Sequence, residues 1–190
     1  LRSLARYAPW IRSVHLVTAD QRPTWLNTKT VTLVSHRDIF PDSAYLPVFN
    51  SHPIELCVHR VPDLAEHFIY FNDDVMLGRP VSPEDIFLTD GRPLLWVVRR
   101  GKKSMAKVIA RTGDAVSRGS VVTLAHAMIR ERYGTSPPYT MRHFPRAMTR
   151  SSVFSLWRAF PDEIAATLRS PFRSPGDVAI VILHALYALA

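Results

Sequence analysis

The sequence predicts an α/β fold, with a sheet core in its first half and a helical C-terminal part. Three observations carry that expectation. Up to about residue 100, short β-branched or apolar runs alternate with proline-opened helix starts. One of those runs, Phe68-Ile69-Tyr70-Phe71, is continuously apolar and ends directly on Asn72-Asp73-Asp74. From residue 146 onward the pattern is helical, broken at Pro161 and across 170–176.

Taken in order, residues 2–7 read as the end of a helix, stopped by Ala8-Pro9 because the residue before proline avoids the helical region. Residues 13–18 alternate and are β-branched, as a strand is, and 19–23 follow as a loop. A second short strand covers 30–34, and the polar stretch 35–45 reads as loop. Pro53 opens a helix to about Arg60, with Ser51 or His52 as its cap, and Val61-Pro62 stops it. The apolar run 68–71 has the mark of a strand buried on both faces. Ser82-Pro83-Glu84-Asp85 is a short helix start, and 93–98 is a further strand. Residues 99–113 are basic without a clear period, 115–133 are helical despite Gly119, and 135–139 form a loop. The division expected is 1–100 for the α/β part and 101–190 for the mainly helical part, together one domain.

Composition bounds the function. A chain of 190 residues, 47% hydrophobic, buries an ordinary core and is not disordered. One cysteine excludes a disulfide framework and a multi-cysteine zinc site. The most apolar stretch, 178–190, is too short to span a bilayer and contains His184, and no leader pattern opens the chain. Leu1 lies in what reads as a helix already under way, and Ala190 ends an uncapped apolar run, so the chain is expected to be cut at both ends. The net charge is +8, and 20 of the 24 basic residues are arginine, spread along the chain. Non-specific attraction to polyanions follows from that charge, whereas nucleic-acid recognition does not. A non-catalytic polyanion-binding domain is one rival reading. His15, His67, His126 and His184 read as core or surface histidines, and Trp10, Trp25, Trp96 and Trp157 as core residues.

Three constellations carry chemistry. Asp73 and Asp74, with Asn72, sit at a strand's carboxyl end, where α/β sheets bind ligands, and offer hard oxygen donors to a divalent cation. The second is Asn50-Ser51-His52-Pro53 through His59-Arg60. On a helix Glu55 and His59 share a face, and Ser51 sits at the positive end, a natural phosphate seat. Zinc ligation by His52, Glu55 and His59 is a weaker alternative, because the His-Glu-x-x-His spacing is absent. Cys57 lies between apolar residues and reads as buried. The third pairs His143, a general acid or base near neutral pH, with Arg173, a bidentate phosphate ligand. Asp177 caps the last helix or orients Arg173.

Together these segments resemble the second and third conserved regions of the Stealth family. The resemblance to the second region runs through Tyr7-Ala8-Pro9-Trp10-Ile11-Arg12, Val17-Thr18, Gln21, Ser35-His36-Arg37-Asp38, Phe49-Asn50-Ser51, Ile54-Glu55, His59-Arg60, Tyr70-Phe71-Asn72-Asp73-Asp74 and Gly78-Arg79-Pro80. The third region is matched more loosely by His143-Phe144-Pro145 and Phe172-Arg173-Ser174-Pro175-Gly176-Asp177. The family implies a Rossmann-like, glycosyltransferase-type core. It implies transfer of a hexose-1-phosphate from a nucleotide diphosphate sugar to a sugar hydroxyl, with release of the nucleoside monophosphate. It also implies dependence on Mg²⁺ or Mn²⁺, an oligosaccharide or polysaccharide acceptor, and a bacterial cytoplasmic location at the inner face of the membrane.

By that resemblance His143, Asp74 and Arg173 are the catalytic residues, and Asp73 and Asp74 hold the metal. Gln21, Asn50, Ser51, Glu55, His59 and Arg60 line the donor site. Several features depart from the family. Its first and fourth regions are absent, Ala19 stands where Asp or Asn is usual, and Cys57 replaces a second helix histidine found in some members. Arg118-Gly119-Ser120 lies where an Asn-Asn pair is common. An ordinary metal-dependent glycosyltransferase is the alternative enzyme reading.

Overall fold

A computed structural model describes residues 1–99 and 118–190. After a short helix α1 (Arg2–Tyr7), strands β1 (His15–Thr18) and β2 (Thr32–Ser35) pair in parallel, with Val17 opposite Val34. The stretch expected to be loop begins instead with helix α2 (His36–Ile39). Its cause is a capping box: Ser35 Oγ accepts from the Arg37 amide at 3.2 Å, and Asp38 accepts from the Ser35 amide at 2.8 Å. Asp42 then caps a 3₁₀ turn, Ser43–Tyr45.

Helix α3 (Ser51–Cys57) starts two residues earlier than Pro53 suggests, because Asn50 rather than Ser51 or His52 caps it. The chain then tightens into a 3₁₀ turn, Val58–Arg60. Strand β3 (His67–Tyr70) runs antiparallel to β6 (Arg146–Thr149), with Tyr70 opposite Arg146. It is not buried on both faces. Phe68 is buried, Ile69 and Tyr70 are half-buried, and His67 is exposed. Strands β4 (Val97–Arg99) and β5 (Tyr139–Met141) form a second antiparallel pair.

Helices α4 (Arg118–Tyr133), α5 (Arg150–Ala159), α6 (Pro161–Leu168) and α7 (Ile180–Ala188) make up the helical part. The break expected at Pro161 is present, and the proline opens α6, where its missing N–H costs nothing. Residues 100–117, which include most of the basic stretch and the expected start of α4, lie outside the described residues. The core joins both halves of the chain: Leu56 of α3, Ile129 of α4, Met148 of β6, Val153 and Leu156 of α5, Ile164 of α6 and Leu183 of α7 are all buried.

The described residues thus form mixed helices and three two-stranded sheets, with no closed barrel. This is compatible with the α/β class. A wide parallel Rossmann-like sheet does not occur among the described residues. No described helix is long and apolar enough to cross a membrane.

Of the tryptophans expected in the core, Trp157 packs against it, and Trp10 is half-buried. The Trp157 Nε1 donates to the Leu56 carbonyl at 3.0 Å, and the Trp10 Nε1 to the Val81 carbonyl at 2.6 Å. Trp25 and Trp96 do not belong to the core, being 75% and 49% exposed.

Candidate active site

The β3–β6 pairing builds the site. Antiparallel register puts the end of β3 beside the start of β6, so the segment after Tyr70 meets the segment before Arg146. These segments carry Asn72-Asp73-Asp74 and Arg142-His143, and His143 Nε2 lies 2.9 and 3.1 Å from the two oxygens of Asp74. Both side chains are exposed. A nitrogen facing a carboxylate carries the proton, which leaves Nδ1 of a neutral imidazole as an acceptor. The His143 hydrogen bond holds the Asp74 carboxyl below its usual range.

Behind this pair lies Glu55, in the middle of α3 and buried. Tyr70 Oη donates to Glu55 Oε1 at 3.2 Å, and Asn72 Nδ2 donates to Tyr70 Oη at 3.3 Å. Burial pushes Glu55 up to about 7, against the opposing pull of the Tyr70 hydrogen bond and of Arg173, Arg146 and His143. Burial, then the nearby Glu55 carboxylate, raises the Tyr70 phenol, which therefore stays a donor. Tyr70 and Arg146 were not singled out from the sequence. The available signal was that a half-buried tyrosine hydroxyl and a glutamate on an apolar helix each need a polar partner.

Arg173 reaches the same place from the loop before α7. Its Nη2 donates to Ser51 Oγ at 3.2 Å. That loop is fastened to α3 by Asn50, which exposes no surface. Asn50 Nδ2 donates to the Ser170 carbonyl at 3.1 Å, the Phe172 carbonyl at 3.3 Å and Asp177 Oδ2 at 2.7 Å, while its Oδ1 accepts from the His52 amide at 3.1 Å. Asp177 Oδ2 also accepts from the Ser174 amide at 2.7 Å. Asp177 is not the cap of the last helix, which begins after Ala179. The exposed Phe49 and Phe172 rings stack 5.6 Å apart beside this joint.

The structure therefore brings Asp73, Asp74, His143, Glu55, Ser51 and Arg173 together. Asn50 adjoins them, but its amide is spent on protein partners and reaches no ligand. Two other expected donor-site residues, His59 and Arg60, bond to the protein away from this cluster, and Gln21 makes no described bond to it. His59 is fully buried, its Nδ1 facing the Leu56 carbonyl at 2.9 Å and its ring set edge-on to Phe154 and Trp157. Desolvation lowers its pKa to about 4, so it is a neutral core histidine. The Arg60 Nε donates to the Ile39 carbonyl at 2.8 Å. Gln21 is exposed on the loop after β1. Cys57 is fully buried, and burial pushes its thiol up to about 12, which makes it inert.

Zinc ligation has no ligand set. His59 points into the core, His52 Nδ1 faces Asp177 at 3.6 Å, and among the described residues no group of three His, Cys, Asp or Glu side chains is placed to hold one metal ion. A hard divalent cation makes a smaller demand. Mg²⁺ is commonly held by one or two carboxylates together with substrate phosphates. Adjacent, exposed Asp73 and Asp74 fit that demand, and Asp73 fits it better because Asp74 already serves His143.

Two family models and several curated relatives match the chain. The model of Stealth protein conserved region 2 matches residues 1–94, and that of conserved region 3 matches residues 142–190. An exopolysaccharide phosphotransferase of Streptomyces coelicolor is 41% identical over 99% of this chain and 31% of its own length. Capsular polysaccharide phosphotransferases of Neisseria meningitidis serogroup B and Haemophilus influenzae are 34% and 31% identical over 94% and 100% of this chain. They are covered over 48% and 52% of their own lengths. The chain thus spans about a third of the Streptomyces relative and about half of the capsular ones.

Proposed function

This chain belongs to the Stealth family, and we propose that it forms the central part of the active site of a phosphotransferase in capsular or exopolysaccharide synthesis. The reaction proposed transfers a hexose-1-phosphate from a nucleotide diphosphate sugar to a hydroxyl of a saccharide acceptor. The acceptor oxygen bonds to the phosphorus that bears the sugar, the bridging phosphoanhydride bond breaks, and nucleoside monophosphate leaves. A nucleotide-sugar donor would place the reaction in the cytoplasm.

The single observation that carries this reading is the His143–Asp74 pair at 2.9 Å, with His143 and Arg173 both near enough to Glu55 to act on its charge. Phosphoryl transfer asks a protein mainly to position groups and neutralise charge. His143 Nδ1 takes the acceptor hydroxyl's proton, while Asp74 fixes the imidazole tautomer and stabilises the imidazolium. The Arg173 guanidinium, steadied by Ser51, meets phosphate oxygens. Glu55 and Tyr70 form the floor beneath. Mg²⁺ or Mn²⁺ held at Asp73 would offset the charge of the diphosphate.

The test is product analysis. The full-length protein is incubated with candidate nucleotide sugars, Mg²⁺ and acceptor. Release of nucleoside monophosphate is expected. Release of nucleoside diphosphate instead would convert the protein into an ordinary glycosyltransferase.

A further inference from the structure

We infer that Asn50 and Asp177 are positioning residues that set the Arg173 guanidinium at the phosphate site, an inference that rests on the reading of Arg173 given above. Arg173 is exposed, and its one described side-chain anchor is the bond to Ser51 Oγ. A long exposed arginine is costly to order, because burial or fixation removes its rotamer freedom. The structure answers this through the backbone beneath it.

Asn50 Nδ2 holds the carbonyls of Ser170 and Phe172, the second being the residue just before Arg173. Asp177 Oδ2 holds the amide of Ser174, the residue just after. The two side chains join each other at 2.7 Å, so one continuous network grips Arg173 from both sides. The Phe49 amide adds a bond to the Pro171 carbonyl at 2.9 Å. The other end of the grip is the start of α3, because Asn50 Oδ1 also accepts from the His52 amide, next to Ser51. Both ends of the Arg173–Ser51 bond are thereby fixed by one buried amide. Asn50 is 0% and Asp177 1% exposed, so neither touches a ligand.

The geometry makes distinct demands of the two residues. Asp177 uses one oxygen, Oδ2, for its bonds to both Asn50 and Ser174, and an asparagine there can present its carbonyl oxygen at the same place. Asn50 must both donate and accept, and neither aspartate nor alanine does so.

The experiment uses full-length protein, Mg²⁺ and inorganic pyrophosphate as a probe of the donor's diphosphate. Calorimetry gives affinity, and hydrogen exchange reports the amides of residues 172–174. Arg173→Ala is expected to weaken binding about ten-fold. Asp177→Ala and Asn50→Ala should weaken it by a similar factor and speed exchange at 172–174. Combined with Arg173→Ala, either should add less than about two-fold, because residues that act through one another are not additive. Asp177→Asn should bind like the wild type, which keeps the test decisive if the alanine variants fold poorly. Equal loss from Asp177→Ala in both backgrounds overturns the positioning role, as does wild-type binding by Asp177→Ala. Equal binding by wild type and Arg173→Ala overturns the phosphate reading itself.

Discussion

Glu55 is a carboxyl group held where ionisation is disfavoured, and that makes a pH prediction. Its value rises from 4.5 in the unfolded chain to about 7 in the fold. Between those values the folded state binds the extra proton. The associated stability is full below pH 4.5 and is lost as pH rises through 7, by about 3 kcal/mol. Glu55→Gln should therefore flatten the fall in thermal midpoint between pH 5 and pH 8. His59 and His184 act in the opposite sense. Desolvation lowers both from 6.5 to about 4, so stability is lost as pH falls through that window. His184→Gln should remove part of that acid-side decline even if it lowers the midpoint at pH 7, as thermal melts would show. The two aspartates should separate as well. Asp74→Asn is expected to lower kcat about a hundred-fold or more by releasing the imidazole. Asp73→Ala should chiefly raise the Mg²⁺ concentration needed for half-maximal rate. Asp73, Asp74, His143 and Arg173 were legible in the sequence because they are polar residues at breaks in apolar patterns. The partner of Glu55 was not. Uniform helical spacing pairs Glu55 with His59, but the chain tightens to 3₁₀ at Val58 and swings His59 toward Phe154 and Trp157.

Among the elements, β6, like α2, is one whose type the sequence conceals. Arg146-Ala147-Met148-Thr149 has little strand propensity and leads straight into a helix, so the sequence reads as helical from Arg146. Pairing with β3 and burial of Met148 decide the matter, and both are tertiary effects. Residues 15–18, 32–35 and 67–70 were legible because β-branched or continuous apolar runs identify strands locally, although burial of β3 on both faces did not follow. Met148→Ala should cost about 2–5 kcal/mol in denaturant unfolding. It should also loosen the His143–Asp74 contact, since β6 leads back into the His143 segment. Ser35→Ala removes the α2 capping box and should cost about 1 kcal/mol while leaving kcat unchanged.

At the scale of the whole molecule, the charge of +8 is divided among many tasks. Arg60 and Arg150 donate to backbone carbonyls, Arg37 and Arg92 pair with Asp20 and Asp90 at the surface, and Arg173 donates to Ser51. Binding of duplex DNA or heparin, measured across a salt series, should weaken steeply and be indifferent to Asp73→Ala, as expected of general charge attraction. The β3–β6 register has a further consequence, for how such a protein can diverge. Asp74 and His143 meet because two strands zip together, so their distance does not depend on the length of the surface turns that lie between them. Lengthening a flexible connection costs little, about 0.6 kcal/mol for each doubling. An exposed turn between Asp74 and His143, such as 88–92, can therefore lengthen at little cost while the pair stays in place.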